Sequence, residues 1–195
     1  MIKKISRLYK ESGLVLILIR LPSKVLKVAL DMLTTYYYCC FFKKVGSKCY
    51  IEFGVRISAP NRISLGTNVF IGKGVEILAE SSYGQLVVGN DVEIGRACRI
   101  DITGNLTIKN NVHLSRGCQI STHTHGHNPK SQPIPCDLTI EDNVWLGADV
   151  FVMESCQKIE ENSLLATRAV ITKSILEKNT IFAGVPAKRI GSRGG

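Results

Sequence analysis

From Val45 onward, apolar residues recur at every sixth position. Ile51, Ile57 and Ile63 form one run, and Leu65, Ile71 and Ile77 the next. Val88, Ile94 and Ile100 follow, then Ile102, Ile108, Leu114 and Ile120, then Ile134, Ile140, Leu146 and Val152, and finally Ile159, Leu165 and Ile171. A helix repeats at 3.6 and a strand at 2, so a sustained period of six belongs to a repeat architecture. A second apolar column stands four residues after the first, at Val55, Val69, Val75, Val92, Leu106, Val112, Val144, Val150 and Ala169. Residues i and i+4 of an extended segment face the same side, which leaves two positions per unit for a bend. Glycine often follows the first column, at Gly66, Gly72, Gly89, Gly95 and Gly147, where a sharp bend has little room for a side chain. Short strands that bend every six residues wind into a coil.

The period slips in two conspicuous places. Ile77 to Val88 spans eleven residues through "AESSYGQ", and Ile120 to Ile134 spans fourteen through "STHTHGHNPKSQP". Loops thrown out of a rigid repeat are where chemistry tends to reside. Ahead of the repeat, residues 1–44 show another pattern. "PSKVLKVALDMLTTYYYCCFFKK" predicts a helix: Pro22 ends what precedes it, Ser23 caps it, and Val25, Leu26, Ala29 and Leu33 recur at helical spacing. This segment either rests on an anionic membrane surface or packs across the open end of the coil, which a solenoid must cap.

Composition sharpens this division. The chain has 195 residues and a formal charge of +9. Residues 1–44 hold nine Lys/Arg against Glu11 and Asp31, so only +2 remains for the repeat, and nucleic acid is not an expected partner. The seven cysteines make no CxxC pair and leave one thiol over, which fits a reducing compartment. Cys49, Cys98, Cys118 and Cys156 fall in the second column, where buried cysteine acts as a small hydrophobe. The apolar run Leu14–Ile19 is followed by Arg20 and Pro22 and is too short to span a bilayer. A cytoplasmic location, free or peripheral at the inner membrane face, is the expectation.

Units such as "VFIGKGVEI", "VEIGRACRI" and "VWLGADVFV", with the ending "AVITKSILEKNTIFAGVPAKRI", resemble the hexapeptide-repeat acyltransferases. The likeness is strongest to the maltose, galactoside and surface-polysaccharide O-acetyltransferase branch. It implies an all-β fold, a left-handed parallel β-helix, over residues 45–191, with a tail at 192–195 and the helical segment 1–44 outside it. It also implies a homotrimer and acetyl-CoA as donor.

Three of the four histidines, His123, His125 and His127, alternate through the second loop, and His113 lies ten residues before His123. Three readings compete: a metal site of converging imidazoles, a general base, and a solvated polar turn. The resemblance implies the base, in the loop five residues after a first-column aliphatic. That position is His125, with His123 assisting it or contacting the acceptor, and no metal is expected. Asp101, directly after Ile100, resembles a position that holds a polar partner near the acceptor hydroxyl; turn capping is the competing role. His127 is read as part of the turn, His113 as a corner residue and Trp145 as a packing residue.

For the donor, the resemblance places Ala148, Thr167, Thr172 and Lys173 along the pantetheine path and Lys188 with Arg189 at the phosphates of coenzyme A. Arg168 stands where the family has glycine, and either reshapes this groove or binds phosphate itself. The function expected is transfer of an acetyl group to a sugar hydroxyl, in surface polysaccharide (O-antigen or capsule) synthesis. A zinc-dependent enzyme of the gamma carbonic anhydrase type and a non-catalytic β-helix scaffold are the alternatives.

Overall fold

A computed structural model describes residues 2–194, with side chains described from Pro22 onward. After one helix, Ile2–Phe41, the chain winds into a left-handed parallel β-helix with three faces. Coil 1 is built from Lys44–Val45, Tyr50–Ile51 and Arg56–Ile57, and coil 2 from Ile63–Leu65, Phe70–Ile71 and Glu76–Leu78. Coil 3 contains Leu86–Val88, Glu93–Ile94 and Arg99–Asp101, and coil 4 Leu106–Ile108, His113–Leu114 and Gln119–Ile120. Coil 5 contains Leu138–Ile140, Trp145–Leu146 and Phe151–Val152, and coil 6 Lys158–Ile159, Leu164–Leu165 and Val170–Ile171. A seventh turn begins at Ile175 and ends in an antiparallel hairpin, Thr180–Gly184 with Ala187–Ser192.

The two apolar columns are the core. Ile51, Ile71, Ile94, Leu114, Leu146 and Leu165 stack along the second face, each fully buried, and the second-column valines fill the corners behind them. Burying one such side chain contributes about 1.5–3 kcal/mol, and the stack repeats the gain at every coil. Cys98, Cys118 and Cys156 are buried in the second column as free thiols, while Cys49 is half-buried.

The corners follow two rules. A Cβ on Gly66 would lie 2.4 Å from the carbonyl oxygen of Gly89, and one on Gly147 would lie 2.7 Å from the Thr167 nitrogen. These glycines are needed because neighbouring coils approach closely. The other rule was not read from the sequence: the residue before the second column is left-handed at almost every corner. Gly54, Gly74 and Gly117 hold it, and so do Asn68, Asp91, Asn111, Asn143, Asp149 and Asn162, because asparagine and aspartate tolerate that conformation.

Three expectations need correction. Ile134 does not belong to the first column: it is exposed on an outlying arm, and the coil resumes at Leu138, paired with Leu106. Trp145 is exposed on the outer second face rather than packed inside; it meets the His113 ring edge-on, and its indole N–H donates to Ser115 Oγ at 3.0 Å. Pro22 does not end the helix, which runs through it without a break.

The helix covers the open edge of coil 1. Thr35 Oγ1 accepts the Ile51 N–H at 2.8 Å, Asp31 Oδ1 accepts the Phe53 N–H at 2.7 Å, and the Tyr38 hydroxyl donates to the Val55 carbonyl at 3.0 Å. Asp31 and Glu52 are buried and bridged by the Lys27 ammonium at 2.6 and 2.9 Å. Edge strands left with unpaired N–H groups invite aggregation, and here helix side chains supply the partners.

Candidate functional site

Both slips of the six-residue period fall at one corner of the prism, between the third and first faces. Coils are normally 20 residues apart in register, as Val88 is from Ile108, but 23 separate Leu65 from Val88 and 32 separate Ile108 from Ile140. The first excess makes the loop holding Glu80. The second makes an arm in which His123–Thr124 pairs antiparallel with Ile134–Pro135.

Asp101 ties the arm to the coil. Its Oδ2 accepts the Thr122 N–H at 2.7 Å and lies 2.7 Å from His123 Nδ1; its Oδ1 accepts the Thr103 N–H at 3.0 Å and the Thr103 hydroxyl at 2.5 Å. The Thr122 hydroxyl, fully buried, accepts the Gly104 N–H at 3.0 Å and donates to Asp101. Burial pushes the Asp101 carboxyl up, but the hydrogen bonds from Thr103, His123 and Thr122 outweigh it and hold the group below the usual carboxylate range. Asp101 is therefore both turn cap and imidazole partner. An ionised carboxylate can only accept, so His123 carries its proton on Nδ1 and presents a lone pair at Nε2.

His125 is fixed in the same sense by a different partner. Its Nδ1 lies 2.8 Å from the Ser131 carbonyl oxygen, and the Ser131 hydroxyl donates back to the His125 carbonyl at 2.7 Å. A carbonyl accepts only, so Nδ1 again holds the proton and Nε2 is the ring nitrogen left to face outward from the Ser131 bond. The two rings stand perpendicular with centroids 5.1 Å apart. Glu80 Oε2 faces both Nε2 atoms, at 3.6 Å from His123 and 3.4 Å from His125. The Glu80 backbone joins the same network, since its N–H donates to Thr103 Oγ1 at 2.9 Å. His123, Asp101 and Glu80 line a cleft of about 210 Å³ together with Arg99, Ser121 and Phe151.

The structure thus brings His123, His125 and Asp101 together and leaves His127 exposed outside the cluster. Glu80 was missed in the sequence; the shared corner of the two slips was the signal that pairs it with the histidines. His113 lies on the second face beside Glu93, 3.2 Å from its carboxylate, in a larger groove of about 770 Å³ that reaches Arg96, Arg116 and Asp149.

The donor-side residues divide between two corners. Thr172 and Lys173 follow Ile171, which stacks through Val152 on Ile120, so they lie on the edge that carries the histidine arm. Ala148, Thr167 and Arg168 lie on the corner between the second and third faces, where the Arg168 N–H donates to the Ala148 carbonyl at 2.9 Å. Arg168 has a φ of 61°, the left-handed conformation that glycine adopts most readily. Lys188 and Arg189 sit on the terminal hairpin, opposite Ala183 and Phe182, with Arg189 Nε 3.2 Å from Glu177.

No family model matches the chain. It is 26% identical over 151 residues to a galactoside O-acetyltransferase of Lactococcus lactis, covering 74% of this chain and 60% of that protein's length. AntD, an N-acyltransferase from Bacillus cereus solved with dTDP and 3-hydroxybutyryl-CoA, superposes with a TM-score of 0.71 at 18% identity, covering 83% of this chain and 88% of that one. A maltose O-acetyltransferase from Clostridium difficile gives a TM-score of 0.57 at 22% identity, covering 81% and 73%. The resemblance to the hexapeptide-repeat acyltransferases drawn from the repeat units holds in fold and in these relatives.

Proposed function

We propose that the protein transfers an acetyl group from acetyl-CoA to a sugar hydroxyl, with His125 as general base. The observation that carries this reading is the pair of imidazoles on the arm, each with its Nδ1 proton anchored and its Nε2 turned toward Glu80 at the edge of the cleft that His123 lines. Of the two, His125 has the more open side chain, 30% against 16% exposed, and its partner is a fixed backbone carbonyl. Nε2 accepts the hydroxyl proton as that oxygen attacks the thioester carbonyl; collapse of the tetrahedral intermediate expels the CoA thiolate, to which the imidazolium returns the proton. His123, oriented by Asp101, positions the acceptor. The O-acetyltransferases among the relatives, and the coenzyme A thioester bound by AntD, support the donor and the sugar.

If the donor is held by Ala148, Thr167 and Arg168 on one corner together with Thr172 and Lys173 on another and Lys188 and Arg189 on the hairpin, a groove using both corners needs a neighbouring copy, and this division supports a homotrimer. Titration calorimetry of acetyl-CoA on wild type, His125→Ala and the Lys188→Ala plus Arg189→Ala variant tests the reading. Binding that weakens without the basic pair but persists without His125 is the expected result; no binding by wild type overturns it.

A role in surface polysaccharide synthesis at the membrane face is supported by the helix. Its inner side caps the coil, while Val25, Leu26, Met32, Leu33, Tyr36 and Phe41 stand exposed. Among the described residues no helix is long and apolar enough to cross a membrane. An apolar face next to Lys24, Lys43 and Lys44 suits an anionic lipid surface. Flotation with anionic vesicles, lost on Leu26→Glu plus Leu33→Glu and absent with neutral lipid, is the expected outcome.

A further inference from the structure

We infer that Glu80, His123 and His125 form a binding site for one divalent transition-metal ion of the zinc type, and that the bound ion silences the proton-accepting imidazole. The second half of this statement rests on the proposed role of His125; the first does not.

The geometry is that of three ligands around a shared point. One ring nitrogen of His123, one of His125 and a Glu80 carboxylate oxygen all lie within 4.8 Å of one another. In a tetrahedral zinc site, bonds of about 2.0–2.1 Å set ligand atoms about 3.4 Å apart. Here the carboxylate oxygen stands 3.4 Å from one Nε2 and 3.6 Å from the other. Two imidazole nitrogens and one carboxylate select zinc, cobalt or nickel over magnesium or calcium, which take oxygen ligands.

The surroundings are also those of a metal centre. Ligating histidines donate their second ring N–H to a carboxylate or a backbone carbonyl, which fixes the tautomer and aims the lone pair. His123 has the Asp101 carboxylate in that place and His125 the Ser131 carbonyl, each already holding Nδ1. Glu80 is held through its N–H by Thr103, which is bonded to the same Asp101. The three ligands come from two separate loops, Glu80 from the slip after coil 2 and the histidines from the slip after coil 4, and one hydrogen-bonded network positions them all.

An ion here takes up the Nε2 lone pairs of both histidines. Since proton transfer by His125 needs that lone pair, metal binding and acetyl transfer exclude each other.

The test is a titration of metal-free, full-length protein with Zn²⁺ against a chromogenic chelator, run alongside Co²⁺ absorption. Wild type is expected to bind one ion per chain, to give the visible bands of tetrahedral Co²⁺, and to be indifferent to Mg²⁺ and Ca²⁺. Glu80→Gln, His123→Ala and His125→Ala should each weaken Zn²⁺ at least tenfold and lose the Co²⁺ bands, with unchanged circular dichroism. Absence of saturable binding overturns the site, and so does equal affinity in all three variants, as capture by the exposed thiol of Cys40 would give. In the acetyl-transfer assay, Zn²⁺ should inhibit wild type reversibly, and Glu80→Gln should need at least tenfold more. Binding without inhibition overturns the silencing. A metal-free protein that binds zinc but never transfers acetyl groups overturns the transferase reading and leaves the ion site standing.

Discussion

His125 and Ser131 hold each other by two hydrogen bonds in opposite senses, Nδ1 to the Ser131 carbonyl at 2.8 Å and the Ser131 hydroxyl to the His125 carbonyl at 2.7 Å. The loop between them is thereby closed into a rigid ring, and the imidazole cannot turn over without breaking it. Replacing the imidazole should remove general-base catalysis, which typically supplies a factor of about 10²–10⁴. His125→Ala is therefore expected to lower kcat by that order while leaving acetyl-CoA affinity within twofold. Ser131→Ala keeps the carbonyl but loosens the ring, and a fall in kcat of about three- to tenfold is expected. Steady-state kinetics with a sugar acceptor, paired with calorimetry for the donor, checks both.

His123 stands to Asp101 as His125 does to Ser131, but its neighbour is a carboxylate buried among threonines. If His123 positions the acceptor, His123→Ala should raise the acceptor KM more than it lowers kcat, the reverse of the pattern at His125. Asp101→Asn should show the same KM effect with a cost in stability of about 1–3 kcal/mol, because the Thr122 N–H loses a charged acceptor. Equal kcat losses of 10² or more at both histidines would instead make the pair a single proton-transfer unit.

How far the sequence reaches can be judged from these same residues. The columns were legible because a coil of fixed circumference buries the same two positions in every turn, so Ile94 and Val112 announce themselves by spacing alone. Ile134 deceived because it kept an apolar identity near the expected step while sitting on an arm, paired with Thr124 rather than with a coil. Trp145 deceived because aromatic residues suit either side of a strand, and only the ladder placing it beside His113 shows that it faces outward. Glu80 was invisible for another reason. Nothing in "AESSYGQ" marks a ligand or a catalyst, and its meaning comes from a corner shared with His123 and His125, 43 and 45 positions away.

The capping end makes a prediction about acid. Arg96, together with Lys27 and the Lys73 N–H, outweighs burial and holds the Glu52 carboxyl down to about 2, against 4.5 ordinarily. For Asp31, burial pushes the carboxyl up, but the bonds from Lys27, Phe53 and Tyr50 hold it below its usual range. A depressed carboxylate stabilises the fold fully above its unfolded value, and that contribution is lost as pH falls from about 4.5 toward 2. Because the Lys27 and Arg96 ends are in solvent, the contribution of Glu52 is on the order of 2 kcal/mol. Glu52→Gln should lower stability at pH 7 by that amount and flatten the acid limb, as read from urea unfolding at several pH values.

Arg168 separates backbone strain from donor binding. With a φ of 61° it adopts a conformation that costs a residue with a Cβ about 1–2 kcal/mol, whereas a glycine there loses about 0.5–1 kcal/mol through its freer unfolded chain. Arg168→Gly should therefore leave stability unchanged or raise it by less than about 1 kcal/mol, since the side chain is exposed and its ion pair with Asp149 is long, at 3.9 Å. If the guanidinium holds a phosphate of coenzyme A, the same variant should bind the donor about three- to tenfold more weakly, with a reduced dependence on salt. A variant that gains stability and keeps its donor affinity would mean that arginine merely occupies a corner where glycine serves as well. Loss of affinity without loss of stability would instead place the charge in the donor groove, because no general loosening of the coil accompanies it.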